Sequence, residues 1–180
     1  MTNSVSIRRY LDVQPRVQRD DEIDAIFFEA SNTKSFESDL ARAAFRERWL
    51  GRYLRGDPQL AFLALTPTER VVGYLVGSLD DPALSSRFAD ISYFSAFRDL
   101  TKRYPAHLHV NLAPAHRRLG IGGRLIDAFV AEARRAGAPG VHVVTSAGSD
   151  NVRFYNRNGF FEAWRGDPDD TLVFLARSLG

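Results

Sequence analysis

Pro105-Ala106-His107-Leu108-His109-Val110-Asn111-Leu112-Ala113-Pro114-Ala115-His116-Arg117-Arg118-Leu119-Gly120-Ile121-Gly122-Gly123-Arg124 changes its period midway, and the chain organises around that change. From His107 to Leu112 the residues alternate. Leu108, Val110 and Leu112 point one way and His107, His109 and Asn111 the other, which is the period of a strand. From Gly122 onward, Gly122, Leu125, Ile126, Phe129, Val130 and Ala133 recur at the spacing of one helical face. Between the two lies Arg117-x-x-Gly120-x-Gly122. Glycines let a ligand approach the backbone, and the first amides of a helix have no intrahelical partner. At the positive end of the helix dipole such amides suit a phosphate or pyrophosphate.

Two familiar phosphate-binding patterns fail here on residues. A P-loop needs Gly-x-x-x-x-Gly-Lys-Ser/Thr, and the chain contains no such string. A dinucleotide fingerprint starting at Gly120 and Gly122 would place its third glycine where Leu125 stands. It would also follow its strand closely, whereas a loop with Pro114 and two arginines intervenes.

Arg-x-x-Gly-x-Gly after a strand and a proline loop resembles the acetyl-CoA signature of the GNAT superfamily of N-acetyltransferases. The phrase from Tyr104 to Leu112 resembles in particular the acetyltransferase-like domain of O-GlcNAcase and its free-standing bacterial relatives. The resemblance covers roughly residues 59 to 177, and the first 58 fit by position only. It implies a mixed α/β fold: a mostly antiparallel central sheet with helices on both faces, residues 1–180 forming a single acetyltransferase-like domain.

Composition is that of a soluble globular protein, with 44% hydrophobic and 26% charged residues. There is no cysteine, so disulfides, thiolate metal sites and a cysteine nucleophile are excluded. The four histidines are not spaced as a metal site. A net charge of +2, its arginines spread along the chain, is no nucleic-acid footprint. The start has no apolar core of signal-peptide length and no later run approaches a membrane span, so the expected place is the cytoplasm.

In chain order, Val5 to Leu11 reads as a first strand. Asp20-Asp21-Glu22 marks a helix start, with Ile23, Ile26, Phe27 and Ala30 as its apolar face. A second helix is expected from about Glu37 to Leu54, with Leu40, Ala44, Trp49, Tyr53 and Leu54 toward the core. Leu60 to Leu65 and Val71 to Leu79 read as a hairpin. Residues 80 to 104 are irregular and rich in Phe and Tyr: either a lid packed on the sheet or a substrate-binding wall. Arg134-Arg135-Ala136-Gly137 closes the long helix. Val141 to Thr145 is a buried-type strand, and a helix comes next with Ser149 or Asp150 as N-cap and Asn158-Gly159 at its end. Phe160 to Trp164 and Thr171 to Ala176 are terminal strands, joined by a turn at Gly166 to Asp170.

The second chemical cluster is Asn151-Val152-Arg153-Phe154-Tyr155, in which Asn151 and Tyr155 share a helix face. The resemblance implies that Asn151 and Phe154 meet the pantetheine arm and that Tyr155 protonates the departing CoA sulfur. A phenol of ordinary pKa about 10 can donate to a developing thiolate. The resemblance likewise assigns cofactor contacts to Asn111, Leu112, Arg117, Arg118, Leu119, Gly120, Ile121, Gly122, Gly123 and Arg124; of these, Arg118 and Arg124 either reach phosphates or face water, and Leu119 and Ile121 read as packing or backbone-only contacts. A backbone amide near Asn111 or Leu112 is the natural oxyanion donor.

A base is harder to find. An alkylamine of pKa about 10.4 is neutral in about one molecule in 2,500 at pH 7, a handicap of about 4.6 kcal/mol. No Asp or Glu lies on the cofactor strand, which leaves His109 and His107, directly or through water. The resulting expectation is an enzyme: an acetyl-CoA-dependent N-acetyltransferase that moves the acetyl group directly to a primary amine of a small molecule or protein. The alternative is an inactive GNAT-like module that binds acetyl-CoA, or no cofactor, for interaction or regulation. Expected partners are a small-molecule or peptide amine acceptor, without nucleic acid or membrane; a homodimer is left open.

Overall fold

In the computed structural model, which describes residues 4–166 and 171–180, the elements keep the order expected from sequence. β1 (Ser6–Arg9), α1 (Arg16–Ala30), α2 (Asp39–Arg46) and α3 (Arg52–Gly56) come first. They are followed by the hairpin β2 (Phe62–Leu65) and β3 (Val71–Ser78). The irregular segment holds two short helices, α4 (Tyr93–Ala96) and α5 (Arg98–Arg103). Then come β4 (Ala106–Leu112), α6 (Ile121–Arg135), β5 (Gly140–Ser146), α7 (Asp150–Arg157), β6 (Phe161–Arg165) and β7 (Leu172–Ser178). Of the turn expected between β6 and β7, residues 167–170 lie outside the described residues. No helix among the described residues is long and apolar enough to cross a membrane.

The described residues pack as two compact units, one of residues up to Gly77 with His109–Phe129, the other of Ser78–Leu108 with Val130–Gly180. The first carries the strand order β1-β2-β3-β4 and the second β4-β5-β7-β6, since β4 runs through both. In the first, β1 pairs antiparallel with β2, and β2 with β3 across a register shift at Ala64/Leu65. In the second, β5 is parallel to β4, while β7 is antiparallel to both β5 and β6. The strands and helices make the mixed, mostly antiparallel α/β fold that the resemblance implied.

Apolar spacing carries the long helix. Ile121, Leu125, Ile126, Phe129, Val130 and Ala133 are all 3% exposed or less. Burial of each large side chain is worth about 1.5–3 kcal/mol against leaving it in water. Gly73 on β3 serves a close approach. A Cβ there would stand 2.2 Å from Leu112 Cδ2 and 3.1 Å from the Asn111 carbonyl oxygen, so a side chain would push β4 away.

The N-terminal third departs from its sequence reading in two places. α1 begins at Arg16, behind Pro15, so the acids at 20–22 are not its opening turn. They serve tertiary hydrogen bonds instead: Asp20 accepts from the Tyr10 hydroxyl at 3.0 Å, and Glu22 from the Val71 amide at 2.9 Å. The second helical run is interrupted by a π-turn over Glu47–Gly51, which rotates the residues beyond it. Leu40, expected in the core, is 79% exposed and Ala44 is exposed; Leu50 and Tyr53 are fully buried. At Gly51, inside that turn, the Glu47 carboxylate and the Arg46 guanidinium lie over the backbone in the space a side chain would take.

The segment 80–104 is core on its apolar side. Phe88, Phe94, Phe97 and Tyr104 are at most 5% exposed, with Phe97 packed edge-on against Phe174. Of the two openings left by the sequence, packing accounts for these four rings. Tyr93 is half-buried.

Candidate active site

In the first unit, β4 ends where the Ala113 amide donates to the Val72 carbonyl at 3.0 Å. A 3-10 turn over Pro114–His116 comes next, then two left-handed residues, Arg118 (φ 62) and Gly120 (φ 75). A Cβ at Gly120 would meet nothing within 4 Å, so glycine stands there for its backbone angle, and the space above it is open. The first helical hydrogen bond runs from Arg124 N to Gly120 O at 3.3 Å. The amides of Ile121, Gly122 and Gly123 therefore lie at the helix entry with no intrahelical acceptor. Ile121 and Gly122 are buried, whereas Leu119 is 65% exposed.

The three arginines of this turn divide. Arg117 donates through Nε to the Leu112 carbonyl at 3.1 Å, bracing the strand end. Arg124 donates through Nη1 to the Val5 carbonyl at 2.8 Å, which ties α6 to the residue before β1. Arg118 is exposed, and among the described residues no hydrogen bond or ion pair holds its guanidinium. An open glycine, helix-entry amides and the Arg118 charge are together the features that suit an anionic group such as a pyrophosphate.

Also in the first unit, His109 faces the second helical run. Its Nε2 lies 3.2 Å from the Tyr53 hydroxyl, and its ring meets Tyr53 and Trp49 edge-on at centroid distances of 5.2 and 5.7 Å. Burial, with the Arg52 charge adding to it, pushes its imidazole down to about 4, so at neutral pH it is uncharged and able to accept a proton. Two residues on, Asn111 donates through Nδ2 to the Tyr74 hydroxyl at 2.8 Å. Burial raises the Tyr74 phenol well above its ordinary range.

In the second unit, Tyr155 is 7% exposed and packs edge-on against Phe154 and Phe160 at 5.1 and 5.3 Å. Burial drives its phenol pKa up, which keeps it protonated. Asn151 is exposed, with Nδ2 3.4 Å from Thr145 Oγ1. Ser149 stands at the N-cap of α7 but its hydroxyl donates to the Ser146 carbonyl at 2.7 Å. His107 lies at 3% exposure among Phe88, Phe94 and His142, with Nδ1 3.3 Å from the Pro105 carbonyl.

The structure thus gathers His109, Asn111, Leu112 and the 117–124 turn in one unit and His107, Asn151, Phe154 and Tyr155 in the other. Sequence reading assigns Trp49 and Tyr53 to the core and misses that they meet His109; it does not single out Arg52 or Tyr74 at all. One signal is there to be used: Gly51, a glycine inside an otherwise helical run, marks the turn that aims Trp49 and Tyr53.

Compared with known proteins, residues 21–160 match the model of the acetyltransferase (GNAT) family. The match takes in most of α1 and all of α2 and stops before the last two strands. Among solved structures, SsHAT is similar with a TM-score of 0.74 at 22% identity, over 98% of this chain and 99% of that one. A chain of the NatC complex bound to Gag peptide and CoA is similar at 0.65 and 14% identity, over 98% and 99%. The yncA protein of Salmonella typhimurium, solved with its cofactor acetyl-CoA, is similar at 0.61 and 19% identity, over 98% and 95%. At these identities the likeness is one of fold.

Proposed function

The chain belongs to the acetyltransferase (GNAT) family, and on that premise we propose that it is an acetyl-CoA-dependent N-acetyltransferase acting on a primary amine of a small molecule or peptide. The observation that carries this reading is the turn before α6: three helix-entry amides, the open left-handed Gly120 and the uncommitted Arg118. In this reading residues 1–180 work as one acetyltransferase-like domain in the cytoplasm, without nucleic acid or membrane. The phrase 104–112 keeps its resemblance to the O-GlcNAcase acetyltransferase-like domain and its free-standing bacterial relatives.

The donor, when bound, supplies an activated acetyl thioester. The amides of Ile121, Gly122 and Gly123, with Arg118, hold its pyrophosphate; Asn151 and Phe154 take its pantetheine arm. Tyr155 stays protonated at every physiological pH and gives its proton to the sulfur as the thiolate leaves. His109 is the base, with Tyr53 fixing its ring; buried His107 is left a packing role. A group at about 4 cannot strip a free ammonium of pKa about 10.4, a step uphill by about 9 kcal/mol. The amine therefore attacks from its small neutral fraction, its first proton already lost to water, and His109 takes the second proton once bond formation to the carbonyl has made the nitrogen acidic. Because the Tyr53 hydroxyl occupies Nε2, the proton goes to Nδ1.

Calorimetric titration with acetyl-CoA tests the reading. The wild type should bind, and Gly122→Glu and Arg118→Glu should each weaken binding, the former by more than about 100-fold, because each sets a carboxylate against the pyrophosphate. Equal affinity in wild type and both variants, with melting curves showing all three folded, would reject it.

A further inference from the structure

The first unit holds a recess of about 600 Å³ that the proposed chemistry does not use, between the end of α1 and the start of α2. Phe28 and Phe36 meet edge-on at 5.9 Å to form its apolar wall. Arg42 sits over the Phe28 ring, its Cζ 3.6 Å from the ring centroid. That stacking holds the guanidinium in place without using its N–H donors, and among the described residues Arg42 makes no ion pair. Lys34 lines the same recess, held by a 2.8 Å hydrogen bond from Nζ to the Glu29 carbonyl. Ser38 caps α2 at its rim by accepting from the Ala41 amide at 3.1 Å.

Two cations against the single carboxylate of Asp39 leave the recess with one net positive charge. That balance matches a carboxylate, whereas a phosphate dianion would be left half-neutralised. The guanidinium fork matches a carboxylate in shape as well. Position adds a length. Arg42 stands seven residues before Trp49, hence roughly 10 Å away along the helical run, and the π-turn at Glu47–Gly51 is where Trp49 turns to meet His109. An extended tripeptide places its terminal carboxylate roughly 10 Å from its amine.

Resting on the N-acetyltransferase reading, we propose that this recess selects the acceptor: an amine carrying a carboxylate about a tripeptide's length away, bound by Arg42 and Lys34. The amine end then lies toward Trp49 and His109 and the apolar middle against Phe28 and Phe36.

The test uses Ala-Ala-Ala with a free C-terminal carboxylate and the same peptide amidated, each titrated calorimetrically into the protein at low ionic strength. The acid peptide should bind about tenfold more tightly than the amide, and Arg42→Gln should abolish most of that difference. Lys34→Gln, on the loop before the helix, should reduce it several-fold. An acetylation assay with the same pair should show the same ratio in kcat/KM, carried by KM. Equal binding of acid and amide, no binding of either, or a preference that survives both substitutions would overturn the proposal. If the acid peptide binds preferentially but neither peptide is acetylated, the carboxylate site stands and the transferase reading is what fails.

Discussion

His107 and His109 are two residues apart on one strand and leave it on the same face, yet their surroundings differ throughout. His107 is packed among Phe88, Phe94 and His142, three side chains contributed by the 80–104 segment and β5. His109 meets Trp49 and Tyr53, both from the helical run that the π-turn redirects. The strand offers the same residue twice; the element packed over it decides whether the imidazole is core or chemistry. The contrast teaches that alternation assigns a face but not an environment.

Substitution at the chemical end should give the largest effects. Tyr155→Phe and His109→Ala should each lower turnover by about 10²–10⁴-fold, about 3–5 kcal/mol of barrier, while acetyl-CoA affinity measured by calorimetry stays within twofold. Wild-type turnover in either variant, with chemistry rate-limiting, would return that residue to packing. His107→Ala should do the reverse. It removes a ring from a close-packed aromatic cluster and should cost about 2–4 kcal/mol of stability in urea titration, while the folded fraction keeps its kcat. If His107→Ala instead lost turnover at unchanged stability, the division between the two histidines would be drawn the wrong way round.

pH sharpens the same contrast. The folded state holds His109 at about 4, against 6.5 in the unfolded chain, so the unfolded chain takes up the proton first as pH falls. Stability should therefore be unaffected above pH 6.5, decline between 6.5 and 4, and lose at most about 3 kcal/mol in all. His109→Gln should remove that part of the acid decline, as read by melts across the range. A decline unchanged in His109→Gln would place it on other groups. The smallest effect is expected at Tyr53→Phe, which deletes one hydrogen bond worth about 1 kcal/mol. It should shift the His109 titration seen by NMR and lower kcat by about fivefold without altering the acceptor KM. An unmoved titration would make Tyr53 a packing residue only.

Legibility tracks the range of the interactions involved. α6 and its glycine turn are readable because their determinants are local: a 3.6-residue apolar period and glycines where the backbone turns left-handed. The order of elements and the α/β class rest on the same short-range signals. The start of α1 escapes sequence reading because acids near a helix start suggest a dipole role. Here Asp20 and Glu22 answer partners from other elements, the Tyr10 hydroxyl and the Val71 amide. Leu40 and Ala44 belong in the core only if the helix is regular, and the π-turn at Glu47–Gly51 breaks that assumption. Arg124 reads from its motif as facing phosphate or water. Its actual partner, the carbonyl of Val5, lies 119 residues away in sequence, beyond any motif.

That bond between Arg124 and Val5 has a consequence for exchange kinetics. It fastens the first turn of α6 to the backbone entering β1, so whatever steadies the turn also steadies the edge strand. Because such coupling acts equally in both directions, a pyrophosphate settling on Ile121, Gly122 and Gly123 should slow deuterium uptake at Ser6–Arg9, which it never touches. Shortening or loosening the start of the chain should, by the same linkage, speed the off-rate of the nucleotide end of the donor.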